Sequence, residues 1–241
     1  MKGIAKALST WVLFIFLSFH SRAQPAPVFH EGMLTYRADT VRRLGSGPAA
    51  YIATRMVVYQ KGDLIRIEVW RVNRFNPTDT AREIHLRNQQ GIYTWIESSD
   101  TKQTAVGNFA LFTSYEEEKQ DQIKMAITLY LKSYSVETLL QKLPWLALPA
   151  ERLALKNNTT QEPLEAIVTN AITIPVGSVF SSVRNLPGTP LQFTDRERGW
   201  ATRFTATALT IRPVGDRLFE VDSTRKLMNT EEIKQAIYDL K

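Results

Sequence analysis

The chain has 241 residues, of which 44% are hydrophobic and 22% charged, and it contains no cysteine. This is the composition of a folded globular protein, and it excludes a collagen-like or wholly disordered chain. The lack of cysteine excludes disulfides and thiolate metal sites, so a packed core has to supply the stability. The formal net charge is +6, of which residues 1–23 carry half in Lys2, Lys6 and Arg22, and the remaining excess of +3 is too small to indicate a nucleic-acid partner.

The N-terminal region has the three parts of a secretory signal peptide, which we assign to residues 1–23. Lys2 and Lys6 form its basic part, an apolar run covers 11–19, and small residues stand at 21 and 23. The run is shorter than the roughly 20 apolar residues that cross a bilayer. We expect cleavage after Ala23 and residence in the periplasm or secretion. The chain has no cysteine that could form a lipobox, and we expect no transmembrane anchor in the mature chain.

Apolar residues that alternate with polar ones predict strands in the first half of the mature chain. These predicted strands cover 32–38, 52–59, 64–72, 80–87 and 91–97. Gly62 predicts the turn of one hairpin, and the segment 88–91 predicts the turn of a second. We expect the apolar faces of both hairpins, including Ile84 and Leu86, to share one core.

The middle of the chain changes to helical periodicity. A stripe of apolar residues and three glutamates in the first turn predict a helix over 115–134. Ser135 as N-cap and Pro144 as terminator predict a second helix over 136–143. With a connector over 144–163, these elements form a helical insert at about 111–163.

The last third of the chain returns to strands, predicted over 164–174, 190–194, 199–211 and 217–222. A helix then follows over 230–240, with Asn229 and Glu232 as a reciprocal cap. This order predicts the α+β class, with one large curved antiparallel sheet covered by two or three helices and a helix at the C-terminus. We expect residues 24–241 to form a single domain.

Residues that carry catalysis or bind metals are scarce. Only His30 and His85 remain after the predicted cleavage, and both are interpreted as surface histidines, so we expect no metal and no cofactor. The chain has no GxSxG or SxxK motif. A hydrolase would require His85, or two of the strand residues Glu68, Glu83 and Glu97, to face a cleft in the fold.

Apolar strand residues are the more informative feature. A sheet of this size covered by few helices can leave an apolar groove on one face, and such grooves bind apolar ligands. The candidate groove residues are Met56, Val58, Ile65, Ile67, Val69, Ile92, Phe193, Trp200 and Phe204. The competing interpretation is an ordinary core filled by the helices.

Several segments resemble known exported proteins. The sequences VVYQKGDLIRIEVW (57–70) and GIYTWIESSDTKQTAV (91–106) resemble two strands of the lipoprotein-carrier-like (LolA/LolB-like) superfamily. The sequences PLQF (190–193), GW…ATAL (199–209) and LFEVDSTRKLMNTEEI (218–233) resemble the C-terminal part of an exported bacterial family of unknown function that is thought to share that fold. The resemblance covers about 31–110 and 164–240.

The resemblance implies an open half-barrel with helices on its concave side, where the carriers hold acyl chains. It offers no catalytic residues, and it adds Trp95 to the groove and Arg66 as a head-group ligand. We therefore expect a non-enzymatic envelope protein that binds a lipid, an acyl chain or another apolar envelope ligand, and no nucleic acid. The alternative is a ligand-free interaction or structural module with an envelope protein as partner, and a hydrolase ranks third.

Overall fold

The structure is a computed structural model that describes residues 29–44, 50–99, 108–126, 128, 133–196 and 199–238. The predicted signal peptide and its cleavage site after Ala23 lie outside these residues.

The main element of the described residues is a single sheet of twelve strands. The first six strands are β1 (Glu31–Arg43), β2 (Tyr51–Lys61), β3 (Leu64–Asn73), β4 (Asn76–Asn88), β5 (Gly91–Ser98) and β6 (Phe109–Thr113). The other six are β7 (Tyr134–Trp145), β8 (Leu148–Asn157), β9 (Pro163–Thr169), β10 (Thr189–Asp195), β11 (Trp200–Thr210) and β12 (Lys226–Met228).

The strand order is β12-β6-β5-β4-β3-β2-β1-β11-β10-β9-β8-β7. Two antiparallel meanders, β1 to β6 and β7 to β11, join where β1 pairs with β11. β12 adds to the edge strand β6 in parallel orientation. The two predicted hairpins, β2–β3 and β4–β5, are confirmed.

The α+β prediction is wrong, because the described residues hold only two α-helices and neither covers the sheet as a layer. Helix α1 (Tyr115–Lys124) begins with a capping box between Ser114 and Glu117, but it buries none of its residues. Helix α2 (Thr230–Tyr238) has the predicted reciprocal cap between Asn229 and Glu232.

Two predicted elements have a different structure. The helix predicted over 136–143 lies inside the edge strand β7, so the segment 111–163 is not a helical insert but contains α1, β7 and β8. The strand predicted over 217–222 is replaced by a short 3-10 helix, Asp216–Phe219.

The two faces of the sheet carry different apolar residues. Ile67 of β3 lies opposite His85 of β4, and Glu68 lies opposite Ile84. Because directly paired residues of antiparallel strands point to the same face, Ile84 points away from Ile67. We call the face that carries Ile67 the core face and the face that carries Ile84 the reverse face. The expectation of one shared core for both hairpins is therefore wrong.

Each face is covered by a segment with little regular structure. Residues 170–188, here the plug segment, bring Ile172, Ile174, Val176, Phe180, Val183 and Leu186 into the main core on the core face. Residues 211–225, here the strap segment, pack Val214 and Phe219 against Ile84 and Trp95 on the reverse face. Irregular loops thus do the covering that the sequence pattern assigned to helices.

Candidate functional site: a cavity on the core face

A cavity of about 200 Å³ lies on the core face, where the plug segment reaches β3, β4 and β5. It is lined by Ile65, Ile67, His85, Leu86, Arg87, Ile92, Thr94 and Val179. One wall is therefore aliphatic, while β4 adds an imidazole and a guanidinium and β5 adds a hydroxyl group.

Strand register explains this mixed lining. β3 presents Ile65 and Ile67 to the core face, and the pairing with β4 sets Arg87 opposite Ile65 and His85 opposite Ile67. Phe180 of the plug segment packs on Phe193 and Phe204, with ring centroids 5.5 and 5.1 Å away, and so fills the core above β10 and β11. Its neighbour Val179 extends to the cavity above β3 and β4.

His85 belongs to a chain of polar contacts that starts in the core and ends at the cavity. Arg71 Nη2 lies 3.1 Å from Glu83 Oε2, and both side chains are largely buried. Glu83 Oε1 lies 3.2 Å from His85 Nε2. His85 Nδ1 lies 3.2 Å from Thr94 Oγ1 across the β4–β5 pairing. Contacts on both ring nitrogens fix the orientation of the imidazole beside the aliphatic wall.

Arg87 supplies positive charge at the same cavity. Its guanidinium carbon lies 5.0 Å from the ring centroid of Tyr115, the first residue of α1. The Tyr115 hydroxyl donates a hydrogen bond to the backbone carbonyl of Asn88 at the end of β4. Among the described residues, no ion pair is formed by Arg87, so an anion at the cavity would meet an uncompensated cation.

A second, more open cavity of about 660 Å³ lies on the reverse face, between the strap segment and β4–β5. Several of its polar groups already make contacts that hold the strap and the β4–β5 turn. Asn88 donates to the Phe219 carbonyl at 3.3 Å, and the Tyr93 hydroxyl donates to Gln90 at 2.9 Å. We therefore treat the core-face cavity, with its compact aliphatic wall, as the candidate site.

No family model, curated protein or solved structure matches the chain. The chemistry of the cavity is therefore the guide to function. Within the described ranges, no group of three His, Asp or Glu side chains could hold a metal ion. Nor does any helix of that part of the chain have the length and apolar content needed to cross a membrane.

The predicted groove residues fall into three sets. Ile65, Ile67 and Ile92 line the cavity. Five others are fully buried in the core under the plug segment, namely Met56, Val58, Val69, Phe193 and Phe204. Trp200 is also buried, and the guanidinium of Arg74 lies 5.2 Å from its ring centroid.

Arg66 and Trp95 lie on the reverse face, away from the cavity. Arg66 Nε donates to Glu68 Oε1 at 2.6 Å, and its Nη1 donates to the Leu218 carbonyl of the strap segment at 3.1 Å. Its guanidinium also stacks on Trp95, 5.4 Å from the ring centroid. These contacts give Arg66 the role of tying the strap to the sheet.

Sequence patterns give no signal for Arg87, Thr94 and Val179 as site residues, and they name His85 only as a residue that a hydrolase would require. Alternation along β4 and β5 does indicate that His85 and Thr94 point away from Ile84. The pairing of β3 with β4 is the further information that places them beside Ile67. Val179 follows a 3-10 turn with no periodic pattern, so no sequence signal was available for it.

Proposed function

We propose that the chain binds a small amphiphilic anion, with its apolar part in the core-face cavity and its charged end at Arg87. The observation that carries this proposal is the lining itself, which combines an aliphatic wall with a guanidinium that lacks an ion-pair partner in the described part of the chain. Pockets with an apolar body and a few convergent polar groups are the usual form of small-molecule sites.

The cavity volume limits the size of the apolar part. A methylene group is close in size to a water molecule, whose share of liquid volume is about 30 Å³, so the cavity takes roughly six or seven such groups. At about 0.8 kcal/mol for each buried methylene, burial contributes about 5 kcal/mol. Since association itself costs at least about 4 kcal/mol, the apolar part alone gives weak binding.

A polar anchor is therefore needed, and Arg87 with its five N–H donors is suited to a carboxylate or phosphate. The Thr94 hydroxyl lies on the same wall and adds a polar group beside the head group, while both ring nitrogens of His85 already contact Thr94 and Glu83. The proposal thus keeps an exported amphiphile-binding protein as the function, and it assigns the head group to Arg87.

Octanoate is a suitable probe, because its chain matches the estimated volume. We expect the purified protein to bind octanoate in a calorimetric titration and the variant Val179→Trp, which fills the cavity, to lose binding. Val221→Trp is the matched control, since Val221 lines the reverse-face cavity instead. Equal binding by wild type and V179W, or loss only in V221W, would overturn the proposed site.

The head-group assignment has its own test. Arg87→Gln should weaken octanoate binding about tenfold, because a hydrogen bond to a charged group contributes roughly 1.5 kcal/mol or more. Binding of octanol, which has no charge, should change little. Equal losses for both ligands would show that Arg87 shapes the cavity and does not bind the anion.

One observation favours a hydrolase as the second candidate. The contacts Thr94–His85–Glu83 place a hydroxyl, an imidazole and a carboxylate in series beside the cavity, the order used for nucleophilic acyl transfer. Thr94 Oγ1 would attack an ester carbonyl while His85 Nδ1 takes its proton and returns it to the leaving alcohol, and water would then release the acid. Hydrolysis of p-nitrophenyl butyrate that disappears in Thr94→Val would support this candidate over simple binding.

A further inference from the structure

Three arginines and a tryptophan form a row across β1 to β4 on the reverse face, mostly outside the part that the strap segment covers. Register sets Arg37 of β1 opposite Arg55 of β2, Arg55 opposite Trp70 of β3, and Trp70 opposite Arg82 of β4. Neighbouring strands are about 4.8 Å apart, so the row extends over roughly 15 Å. The strap segment packs on Ile84, Leu86, Tyr93 and Trp95 of β4 and β5, which leaves Arg37 and Arg55 exposed.

The arginines of this row differ in how their charge is balanced. Arg82 is paired with Glu68 and Glu97, and its charge is compensated. Arg37 uses Nε for a 3.0 Å contact with Asp39, and four further N–H groups of a guanidinium remain for other acceptors. Arg55 lies over Trp70, with its guanidinium carbon 5.0 Å from the ring centroid.

Arg37 and Arg55 form a directly opposite pair of like charges on two central strands, an arrangement that destabilises an antiparallel sheet. A bound anion that bridges the two guanidinium groups would replace this repulsion with two attractive contacts. Both side chains are already oriented by Asp39 and Trp70, so less side-chain entropy is lost on binding than for two free arginines.

The surroundings of the pair are polar. Thr205 of β11 lies opposite Arg37 and accepts a 3.3 Å hydrogen bond from Gln192 of β10. The exposed Arg203 lies opposite Asp39, one position along β1 from this row on the same face. The face therefore presents Arg37, Arg55 and Arg203, with the Asp39 carboxylate beside Arg37, next to hydroxyl and amide groups. This excess of cations among hydroxyl and amide groups is the complement of a chain that alternates anionic groups with hydroxyls.

We propose that this uncovered part of the reverse face binds an acidic polysaccharide, with carboxylate or sulfate groups at Arg37 and Arg55 and sugar hydroxyls at Thr205 and Gln192. A lipid bilayer is a poorer fit, because Arg55 covers one face of Trp70, the aromatic ring beside the pair, and Thr205 and Gln192 present hydroxyl and amide groups rather than apolar side chains that insert. Single-stranded nucleic acid is also a poorer fit, because Arg55 covers one face of the Trp70 ring on which a base would stack. This site is separate from the core-face cavity.

Oligogalacturonate binding to the full purified protein tests the proposal. We expect measurable binding that falls with salt, and a loss of about tenfold or more in Arg37→Gln/Arg55→Gln, since two charge-assisted contacts are removed. The control Arg212→Gln/Arg217→Gln changes the net charge by the same amount at two exposed arginines of the strap segment and should bind as wild type. Thermal unfolding of both double variants checks that the sheet is intact.

Three results would overturn the proposal. Equal losses in the two double variants would show that net charge alone governs binding. Binding of neutral dextran as tightly as oligogalacturonate would remove the role of the arginines. Tighter binding of phosphatidylglycerol vesicles, polyglutamate or single-stranded DNA, lost in the Arg37/Arg55 variant, would assign the face to a different partner. Octanoate binding should be unchanged in every case, which separates this site from the cavity.

Discussion

Trp95 shows how single residues hold the strap segment on the sheet. Two guanidinium groups lie over its ring, with Arg66 5.4 Å and Arg225 5.3 Å from the centroid. Glu97 accepts hydrogen bonds from the Trp95 indole at 3.1 Å and from Arg225 at 3.0 Å, and it also pairs with Arg82. Since Arg225 ends the strap segment, these contacts link it to β3, β4 and β5.

The charge of Glu97 makes this link sensitive to acid. Burial raises its pKa, but hydrogen bonds from Arg82 and Trp95 and the charges of Arg82 and Arg225 outweigh burial, so the pKa lies below its ordinary value. A carboxyl with a lowered pKa in the folded state stabilises the fold above its unfolded pKa of about 4.3, and this contribution is lost as the pH falls through the folded pKa.

We therefore expect Glu97→Gln to be less stable than wild type at pH 7 and to lose less of its free energy of unfolding on acidification below about pH 5. Urea unfolding at a series of pH values measures both effects. Glu220→Gln, at an exposed position of the strap segment, is the control and should follow the wild-type pH profile. Parallel pH profiles for wild type and E97Q would contradict this role for Glu97.

At the scale of elements, β7 shows why the sequence pattern misled. The helix over 136–143 was predicted from Ser135 as N-cap and Pro144 as terminator, and the apolar residues between them, Val136, Leu139, Leu140 and Leu143, also have helical spacing. In the structure, pairing with β8 shifts register between Val136 and Thr138 and again between Leu139 and Gln141. Each bulge adds one residue to the strand and moves the alternation by one position, so a twice-bulged strand imitates a helical repeat.

The predicted helix cap has a different partner in this strand. Ser135, expected to cap a helix, donates instead to Asn158 Oδ1 at 2.6 Å beyond the end of β8. Val136, Leu139 and Leu140 stay largely exposed, because β7 is the edge of the sheet. Bulges and edge positions depend on how a strand pairs with its neighbours. The apolar periodicity of one segment therefore cannot predict them.

The plug segment is the element that the core depends on most. Phe180 is 3% exposed and packs on Phe193 and Phe204, whereas Phe75 at the β3–β4 turn is 74% exposed. We expect Phe180→Ala to lower the free energy of unfolding by about 3 to 5 kcal/mol, because it leaves a cavity in the main core. Phe75→Ala should change it by less than about 0.5 kcal/mol.

Urea unfolding of the two variants makes this comparison with the same side chain removed in each. A small loss in F180A would mean that the plug segment is not an integral part of the core. In that case Val179, which lines the cavity, would belong to a loosely attached loop. The cavity volume would then no longer limit the size of the ligand.

At the scale of the whole molecule, predictions from local pattern succeeded where strands alternate and pair with their neighbours in sequence. The β2–β3 and β4–β5 hairpins and the reciprocal cap of α2 are of this kind. The fold class was wrong because two irregular segments, 170–188 and 211–225, cover the sheet in place of helices. Such segments bury apolar residues without a period, so a search for periodicity does not identify them as parts of a core.

The candidate site, like the fold, could be predicted only where alternation within one strand determines the direction of a side chain. Ile65, Ile67 and Ile92 followed from alternation within strands. His85 and Thr94 required the register between strands, and Val179 required the path of the plug segment. Arg66 and Trp95 were added to the candidate site by the family resemblance, and strand pairing places both on the reverse face, where the strap segment contacts them.

The central claim is that the core-face cavity holds an amphiphilic anion, and native mass spectrometry of the protein purified from its host without detergent tests it most directly. We expect a discrete mass excess that is released by organic extraction as a short-chain acid or phosphate ester, and that is missing from V179W but retained in V221W. A bare protein mass, together with no octanoate uptake by the wild type, would contradict the claim and favour a ligand-free interaction module.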